Sequence, residues 1–363
     1  MKITSYTKNL KRALGIVEKI VSKNTSLPIL NNILLKTENG RLKISATNLE
    51  IGVSYLIGTK IDEVGEVAIP ARIASDFVGN INEEKISLST KNNILSIDSE
   101  HYKTQILGFD PKDFPIIPKI KNDTFCVINS KVIKNSLMTV LDSVALSETR
   151  PELAGVLMSF LNNKLIFAAT DSFRLTEKIT DFNCKENKTV IIPRNTALEL
   201  IRISSDIEGD MDIKIGDNQI SFSNNDIELI SRLVDGNYPD YKKVIPDKFL
   251  SKVIVDKEVI EKNTRLAGLF SSNIADVKIK CSDKKMVIVS KNSEKGEIQT
   301  SMECVLKNEP FDIAVNFNYL LDGLKIIPAN KIVIEFTGQG SPLVLRPEND
   351  NKNLTYLIMP LRS

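Results

Sequence analysis

Val67-Ala-Ile-Pro-Ala-Arg72 recurs as Val190-Ile-Ile-Pro-Arg-Asn195 and, in the same register, as Asp312-Ile-Ala-Val-Asn-Phe317. Ile69, Ile192 and Val315 are 123 residues apart and 123 again. Each copy reads as an extended run that turns into a helical one, over Ala71 to Ile81, Asn195 to Ser204 and Asn316 to Ile326. Other landmarks keep the offset. Leu27-Pro-Ile-Leu30 precedes Arg150-Pro-Glu-Leu153 by 123, Ala46-Thr-Asn48 precedes Ala169-Thr-Asp171 by 123, and Phe114-Pro115 precedes Tyr238-Pro239 by 124. A common offset across separate landmarks makes the chain three successive copies of one unit.

Working outward within a copy, residues 7–23 carry Leu10, Leu14, Val17 and Val21 on one helical face. Residues 130–145 repeat this with Ile133, Leu137, Val140 and Val144; residues 256–270 do so less regularly with Val259, Ile260, Leu266 and Leu269. Leu42-Lys-Ile-Ser-Ala46, Leu165-Ile-Phe-Ala-Ala169 and Met286-Val-Ile-Val-Ser290 read as strands, and Asn39-Gly40 and Asn162-Asn163 as hairpin turns. The expected fold class is α+β: three repeated domains, mostly antiparallel sheet with two helices each. Prolines after Ile116-Ile117 and Val244-Ile245 set the boundaries, giving domains 1–119, 120–247 and 248–363.

The 363 residues are too many for one ordinary core and suit two or three domains. With 42% apolar and 26% charged residues, no apolar run of membrane-spanning length and no secretion-signal pattern at the N-terminus, the expectation is a cytoplasmic globular protein. Cys126, Cys184, Cys281 and Cys304 form no C-x-x-C pair and read as buried thiols. The single histidine, His101, excludes multi-histidine metal sites and most histidine-based acid/base schemes. No phosphate-binding loop or dinucleotide motif occurs, and Asp206, Glu208, Asp210 and Asp212 lack the glycine and final glutamate of a calcium loop. No cofactor and no metal are expected, and the chain reads as a binding protein rather than an enzyme.

The net charge of +2 is nearly neutral, but its distribution is not even. Lys8, Lys11, Arg12, Lys19 and Lys23 lie off the apolar stripe of the first helix, with Glu18 the only acid among them. Lys131, Lys134 and Arg150 mark the second copy's first helix region, Arg194 and Arg202 its second helix; Lys257, Lys262 and Arg265 mark the third copy. Each could be an ordinary solvated face. Together they also fit a surface that meets phosphates without reading bases, since no base-reading motif occurs, tryptophan is absent and the aromatic residues are scattered.

Two segments stand out as sites. Thr170-Asp-Ser-Phe-Arg174 gathers hydroxyls, a carboxylate and a guanidinium after a strand, and a turn closed by an Asp171–Arg174 ion pair accounts for it without chemistry. The apolar tail Leu354-Thr-Tyr-Leu-Ile-Met-Pro-Leu-Arg-Ser363 reads either as a last edge strand or as a groove-forming segment.

Taken in order, Leu27-Pro-Ile-Leu30, Ala169-Thr-Asp-Ser-Phe-Arg-Leu175, Val190-Ile-Ile-Pro-Arg194, Leu233-Val-Asp-Gly-Asn-Tyr-Pro-Asp-Tyr241 and Tyr356-Leu-Ile-Met-Pro-Leu-Arg362 resemble the bacterial replicative sliding clamp, the beta subunit of DNA polymerase III. The resemblance covers essentially the whole chain. It implies a non-catalytic processivity factor in which a head-to-tail homodimer makes a pseudo-six-fold ring, with helices toward duplex DNA held without sequence specificity. The implied partners are the DNA polymerase III catalytic subunit, an ATP-dependent clamp loader, and other polymerases and repair proteins carrying clamp-binding peptides, met in the cytoplasm at the nucleoid or replication fork. Carried over residue by residue, the peptide cleft would comprise Thr170, Ser172, Phe173, Arg174, Leu175, Pro239, Val244, Leu357, Met359, Pro360, Leu361 and Arg362. Phe173 stands where many relatives have histidine, and Asn24 where some have a DNA-touching arginine. The dimer joint would set Ile106 of one subunit against Leu269 and Phe270 of the other, and Thr104 stands where some relatives have an aromatic residue. Two other readings stay open beside it: a clamp-like scaffold that binds peptides without surrounding DNA, and a metal-dependent hydrolase.

Overall fold

The computed structural model describes residues 1–21, 26–147, 149–184, 186–349 and 353–361. In the first repeat β1 (Lys2–Tyr6) leads into α1 (Thr7–Val17), followed by β2 (Asn32–Glu38), β3 (Arg41–Thr47), β4 (Ile51–Gly58), β5 (Lys60–Glu63) and β6 (Glu66–Pro70). Then come α2 (Ala71–Asn80), β7 (Lys85–Lys91), β8 (Ile94–Asp98) and β9 (Lys103–Leu107). The second repeat runs β10 (Cys126–Asn129), α3 (Ser130–Val140), β11 (Gly155–Leu161), β12 (Lys164–Thr170), β13 (Arg174–Asp181) and β14 (Lys188–Pro193). It continues with α4 (Arg194–Asp206), β15 (Asp210–Ile215), β16 (Gln219–Ser223) and β17 (Ile227–Arg232). The third begins with β18 (Ser251–Asp256) and α5 (Lys257–Gly268), then β19 (Asp276–Ser282), β20 (Lys285–Asn292), β21 (Gly296–Glu303), β22 (Val305–Asn308) and β23 (Phe311–Asn316). It ends with α6 (Phe317–Ile326), β24 (Lys331–Phe336), β25 (Leu343–Pro347) and β26 (Leu354–Ile358).

The three copies share local physics as well as order. Asn39 and Gly40, and Asn162 and Asn163, all have positive φ, the conformation a two-residue hairpin turn demands and asparagine and glycine tolerate. The first helix of each copy is tied at its start to the loop after the second, where Thr7, Ser130 and Lys257 donate their backbone N–H to the carbonyls of Glu84, Gly209 and Asn330. Those N–H groups have no partner inside their own helix, so the ties satisfy donors that would otherwise be orphaned.

Two compact units divide the chain, Met1–Lys134 with Leu198–Leu233, and Asn135–Ala197 with Val234–Ser363. The first holds a five-stranded sheet, β5-β1-β7-β8-β9, and an eight-stranded sheet, β10-β15-β16-β17-β4-β3-β2-β6. The second holds a nine-stranded sheet, β14-β11-β12-β13-β26-β25-β24-β18-β22, and a four-stranded sheet, β21-β20-β19-β23. The pairings among these strands are antiparallel. Within every copy the opening strand joins the last three, as β1 joins β7, β10 joins β15 and β18 joins β24.

One rule links the copies. The third strand of a copy's middle sheet pairs with the final strand of the next: β4 with β17 in the first unit, and β13 with β26 in the second. The corresponding strands without such a partner are β21 of the third copy and β9 of the first, and both end their sheets.

Three helices depart from their expected extent or face, and α3, expected to residue 145, ends at Val140 and tightens to a 3-10 turn over Leu141–Ser143. The first helix stops at Val17 and tightens to a 3-10 turn over Glu18–Ile20, short of the expected residue 23. In α5 the buried residues are Ile260, Thr264, Ala267 and Gly268, while Val259, Leu266 and Leu269 face outward. Close packing explains the exchange: a Cβ on Gly268 would lie 2.6 Å from two ring carbons of Phe317 on α6, so only small residues fit that side.

Candidate functional site

The site grows from the corner between β12 and β13. Thr170 Oγ1 donates to the Arg174 carbonyl at 2.7 Å and accepts from the Ser172 N–H at 3.1 Å. Asp171 Oδ1 accepts the N–H groups of Phe173 and Arg174, each at 2.9 Å, and Oδ2 accepts Arg174 Nε at 3.0 Å. The side chains of Thr170 and Asp171 thus satisfy the turn's backbone, which lets Ser172 sit at φ 76°. Arg174 is fixed further by an ion pair to Asp322 on α6 and by the face of Tyr319, 4.6 Å from its guanidinium carbon. The ion pair expected within the turn is present, and the same turn borders a cleft.

A cleft of about 260 Å³ opens beside that turn. Its lining joins Thr170, Ser172, Arg174 and Leu175 to Pro239, Asp240, Tyr241 and Val244, to Leu357 and Met359 of the tail, and to Arg150 and Leu153. Beneath it lies a small apolar core that includes Leu157, Leu175, Ile191, Val344 and Leu357, with Met359 and Tyr238 packed against it. The floor is therefore fixed aliphatic surface with few polar groups at its margin, which suits a short peptide with apolar anchors. Tyr241 and Val244 belong to one 3-10 turn, Tyr241–Val244, and the Tyr241 hydroxyl donates to Glu177 Oε2 at 2.6 Å.

The tail is not a last edge strand: its strand is interior to the nine-stranded sheet, and Leu357 within it and Met359 just after it reach the cleft. Leu354–Ile358 forms β26, buried throughout between β13 and β25. Met359 continues the pairing by donating its N–H to the Phe173 carbonyl at 2.8 Å and places its side chain in the cleft. Pro360 and Leu361 are half-buried beside it without lining it. The Phe173 side chain points away and is 60% exposed, and Arg362 lies outside the described residues. Arg150, Leu153, Asp240 and Tyr241 line the cleft without having been expected there. Their signal was present: Arg150 and Leu153 frame a landmark of the repeat, and Tyr241 closes the stretch that begins at Leu233.

The basic residues divide into structural ties and free charge. Arg12 donates to the Asp206 carbonyl at the end of α4, and Arg202 to the Ile16 carbonyl near the end of α1 at 2.8 Å. Lys11 and Lys257 reach the carbonyls of Ile81 and Ile327, just past the second helices of their copies. Cations at these helix ends complement the partial negative charge of the terminal carbonyls. Arg202 also pairs with Glu199, Arg265 with Glu261 and Arg150 with Glu152. Arg194 is half-buried, its Nε without a hydrogen-bond partner among the described residues. Lys8, Lys19, Lys131 and Lys262 are exposed, and Lys134 half-buried, with no carboxylate partner among the described residues. Lys23 and Asn24 lie outside those residues.

At the two unpartnered strand edges, Ile106 on β9 is turned into its own core at 4% exposure, while Leu107 beside it is 71% exposed. Side chains alternate along a strand, so Thr104 shares the inward side with Ile106. Leu269 is 64% exposed, and Phe270 half-buried. Of the four cysteines expected to be buried, Cys281 and Cys304 are, and burial pushes both thiols up, whereas Cys126 and Cys184 are only half-buried. No group of three or more metal-ligating side chains is found among the described residues.

Family models for the DNA polymerase III beta subunit match the chain in three parts: the N-terminal domain over residues 1–118, the central domain over 127–240 and the C-terminal domain over 242–362. The beta sliding clamp of Staphylococcus aureus is 31% identical over 360 residues, covering 95% of each chain. Among solved structures, the DNA polymerase III beta subunit of Thermotoga maritima superposes with a TM-score of 0.94 at 26% identity, covering 100% of this chain and 99% of that one. The sliding clamp of Bartonella birtlesii bound to griselimycin gives 0.94 at 27% identity, covering 100% of both.

Proposed function

The chain belongs to the DNA polymerase III beta subunit family, and from that premise we propose that it is a non-catalytic sliding clamp, two copies of which close head to tail around duplex DNA. The observation that carries this reading is the strand-pairing rule. Applied once more, it joins β21 of one copy to β9 of another, and the same joint on the other side closes a pair. A closed pair leaves neither strand edge exposed to stray pairing. The copies correspond to the three domains 1–119, 120–247 and 248–363.

DNA is held by topology and loose charge. Lys8, Lys19 and Lys131, exposed and without a carboxylate partner among the described residues, supply point charges that attract phosphates but cannot discriminate bases. Tight contacts would oppose sliding. The cleft of the second unit then receives peptides of the polymerase catalytic subunit, of an ATP-driven loader, and of other polymerases and repair proteins, and we assign to it griselimycin, the compound bound by the Bartonella birtlesii sliding clamp. No helix among the described residues is long and apolar enough to cross a membrane; the proposed workplace is the cytoplasm, at the replication fork.

Loaded on nicked circular plasmid with loader and ATP, the protein stays on the circle and leaves when the circle is linearised; retention on open linear ends overturns the topological account. Lys8→Glu, Lys19→Glu and Lys131→Glu together are expected to reduce loading at least tenfold. Each lysine that meets a phosphate also removes about 0.9 from the slope of log K against log salt, so the variant's slope should be shallower. An unchanged slope would place that face away from DNA.

The joint has its own test. Leu269→Glu puts a charge where an exposed apolar side chain meets the partner edge, and the expected mass in solution falls from twice 40.5 kDa to 40.5 kDa. A variant that stays dimeric overturns this assignment of the joint.

A further inference from the structure

The cleft wall is held from behind by a carboxylate that lines none of it. Glu177 lies on β13 two residues beyond Leu175, hence on the same face of the sheet, and is 4% exposed. Its Oε2 accepts the Tyr241 hydroxyl at 2.6 Å and also the Lys242 ammonium. The other hydrogen bonds of the Tyr241–Val244 turn, among the described residues, are local: Tyr241 N–H to Pro239, Lys243 N–H to Asp240, and Ile245 N–H to Lys242. Both polar anchors that join this turn to the sheet therefore end on one carboxylate. Tyr241 and Val244 from the turn, and Leu175 from the strand, are cleft residues.

We propose that Glu177 is a positioning residue for partner binding: by holding the Tyr241–Val244 turn against β13 it sets the width of the cleft without touching what binds there. The proposal rests on the reading of the cleft as the partner site. Burying a carboxylate beside an apolar core is costly unless it is paired and hydrogen-bonded. Here both conditions are met by two successive residues of the turn. Losing the carboxylate strands a buried hydroxyl and frees Lys242, half-exposed already, to turn to water. The turn then has only its packing to keep it in register with Leu175.

The test is titration of griselimycin into the full-length dimer, with thermal melting in parallel. Tyr241→Phe, which keeps the ring and removes only the hydroxyl, is expected to weaken binding about tenfold, and Glu177→Leu by a similar factor. The double variant should be no more than about threefold weaker than either single, because both remove the same bond. Glu177→Gln, whose amide oxygen can still accept the phenol, should stay within about threefold of the parent. A purely structural role predicts losses that multiply and no rescue by glutamine. Should Glu177→Leu fail to fold, Tyr241→Phe and Glu177→Gln carry the test. A parent protein that does not bind griselimycin overturns the cleft reading and this proposal with it; a parent that binds while Tyr241→Phe is unaffected overturns the positioning role alone.

Discussion

Deleting Met359–Ser363 is expected to lower griselimycin affinity by roughly thirtyfold or more while leaving the protein melting within a few degrees of the parent. The deletion removes one cleft side chain, Met359, whose burial against a bound ligand contributes about 1.5–3 kcal/mol. At 1.4 kcal/mol per factor of ten this alone spans about tenfold to a hundredfold. It also removes the Met359 N–H to Phe173 and Leu361 N–H to Ala314 hydrogen bonds, which hold the tail along the cleft. All of β26 is kept. A cut four residues after Leu354 is therefore informative, whereas a cut at Thr355 removes Tyr356, Leu357 and Ile358, none more than 1% exposed, and would destroy the core instead. Affinity within threefold of the parent would show that the tail is not part of the binding surface.

Gly323→Ala has the larger effect on folding. A Cβ at this position on α6 would lie 2.3 and 2.4 Å from two ring carbons of Tyr356. The ring cannot step aside freely, because it is 1% exposed and its hydroxyl donates to the Tyr319 carbonyl at 2.7 Å. Overpacking of this kind costs about 1–3 kcal/mol, and the strained hydrogen bond adds about 1 kcal/mol. Gly15→Ala on α1 is the matched control, since nothing lies within 4 Å of the added atom and helix propensity favours alanine by about 0.5–1 kcal/mol. Calorimetry should show the first variant melting several degrees lower and the second no lower than the parent. Equal melting of the two would mean that α6 can lift from β26 without cost.

The repeat, its two helices per copy and its hairpin turns were legible because they rest on local signals. Asn39-Gly40 tolerates the positive φ that a two-residue hairpin turn demands, and Leu10, Leu14 and Val17 make a helical face regardless of what covers it. The seams were not legible. Nothing within β4 or β17 marks them as partners, since strand pairing between copies is decided by which edges are left uncovered. The face of α5 was misread for a related reason: Thr264, Ala267 and Gly268 are poor apolar signals, yet their small size is what lets α6 approach.

Most of the cleft lining could be named from motifs, because Thr170, Ser172, Arg174, Leu175, Pro239, Val244, Leu357 and Met359 lie in stretches that match the family in order. What motifs could not convey was orientation. Phe173 sits within the best-matched stretch and is 60% exposed, and Ile106 sits on an edge strand but faces inward. The Glu177–Tyr241 bond joins residues 64 apart, so neither could announce the other. Likewise Arg12 and Arg202 looked like surface charge, but each closes a neighbouring helix end.

Residues 115–124, which carry the chain from the first copy to the second, form neither helix nor strand, while the ladder between those copies runs from β4 to β17. The covalent connection packs on both copies, Ile117 against Gly52 and Asn122 Nδ2 on the Ile215 carbonyl, but the backbone ladder is the weld. A weld of that kind is indifferent to whether the polypeptide continues across it. A chain severed within 115–124 is therefore expected to keep the β4–β17 ladder, so that its two pieces stay together with no peptide bond between them.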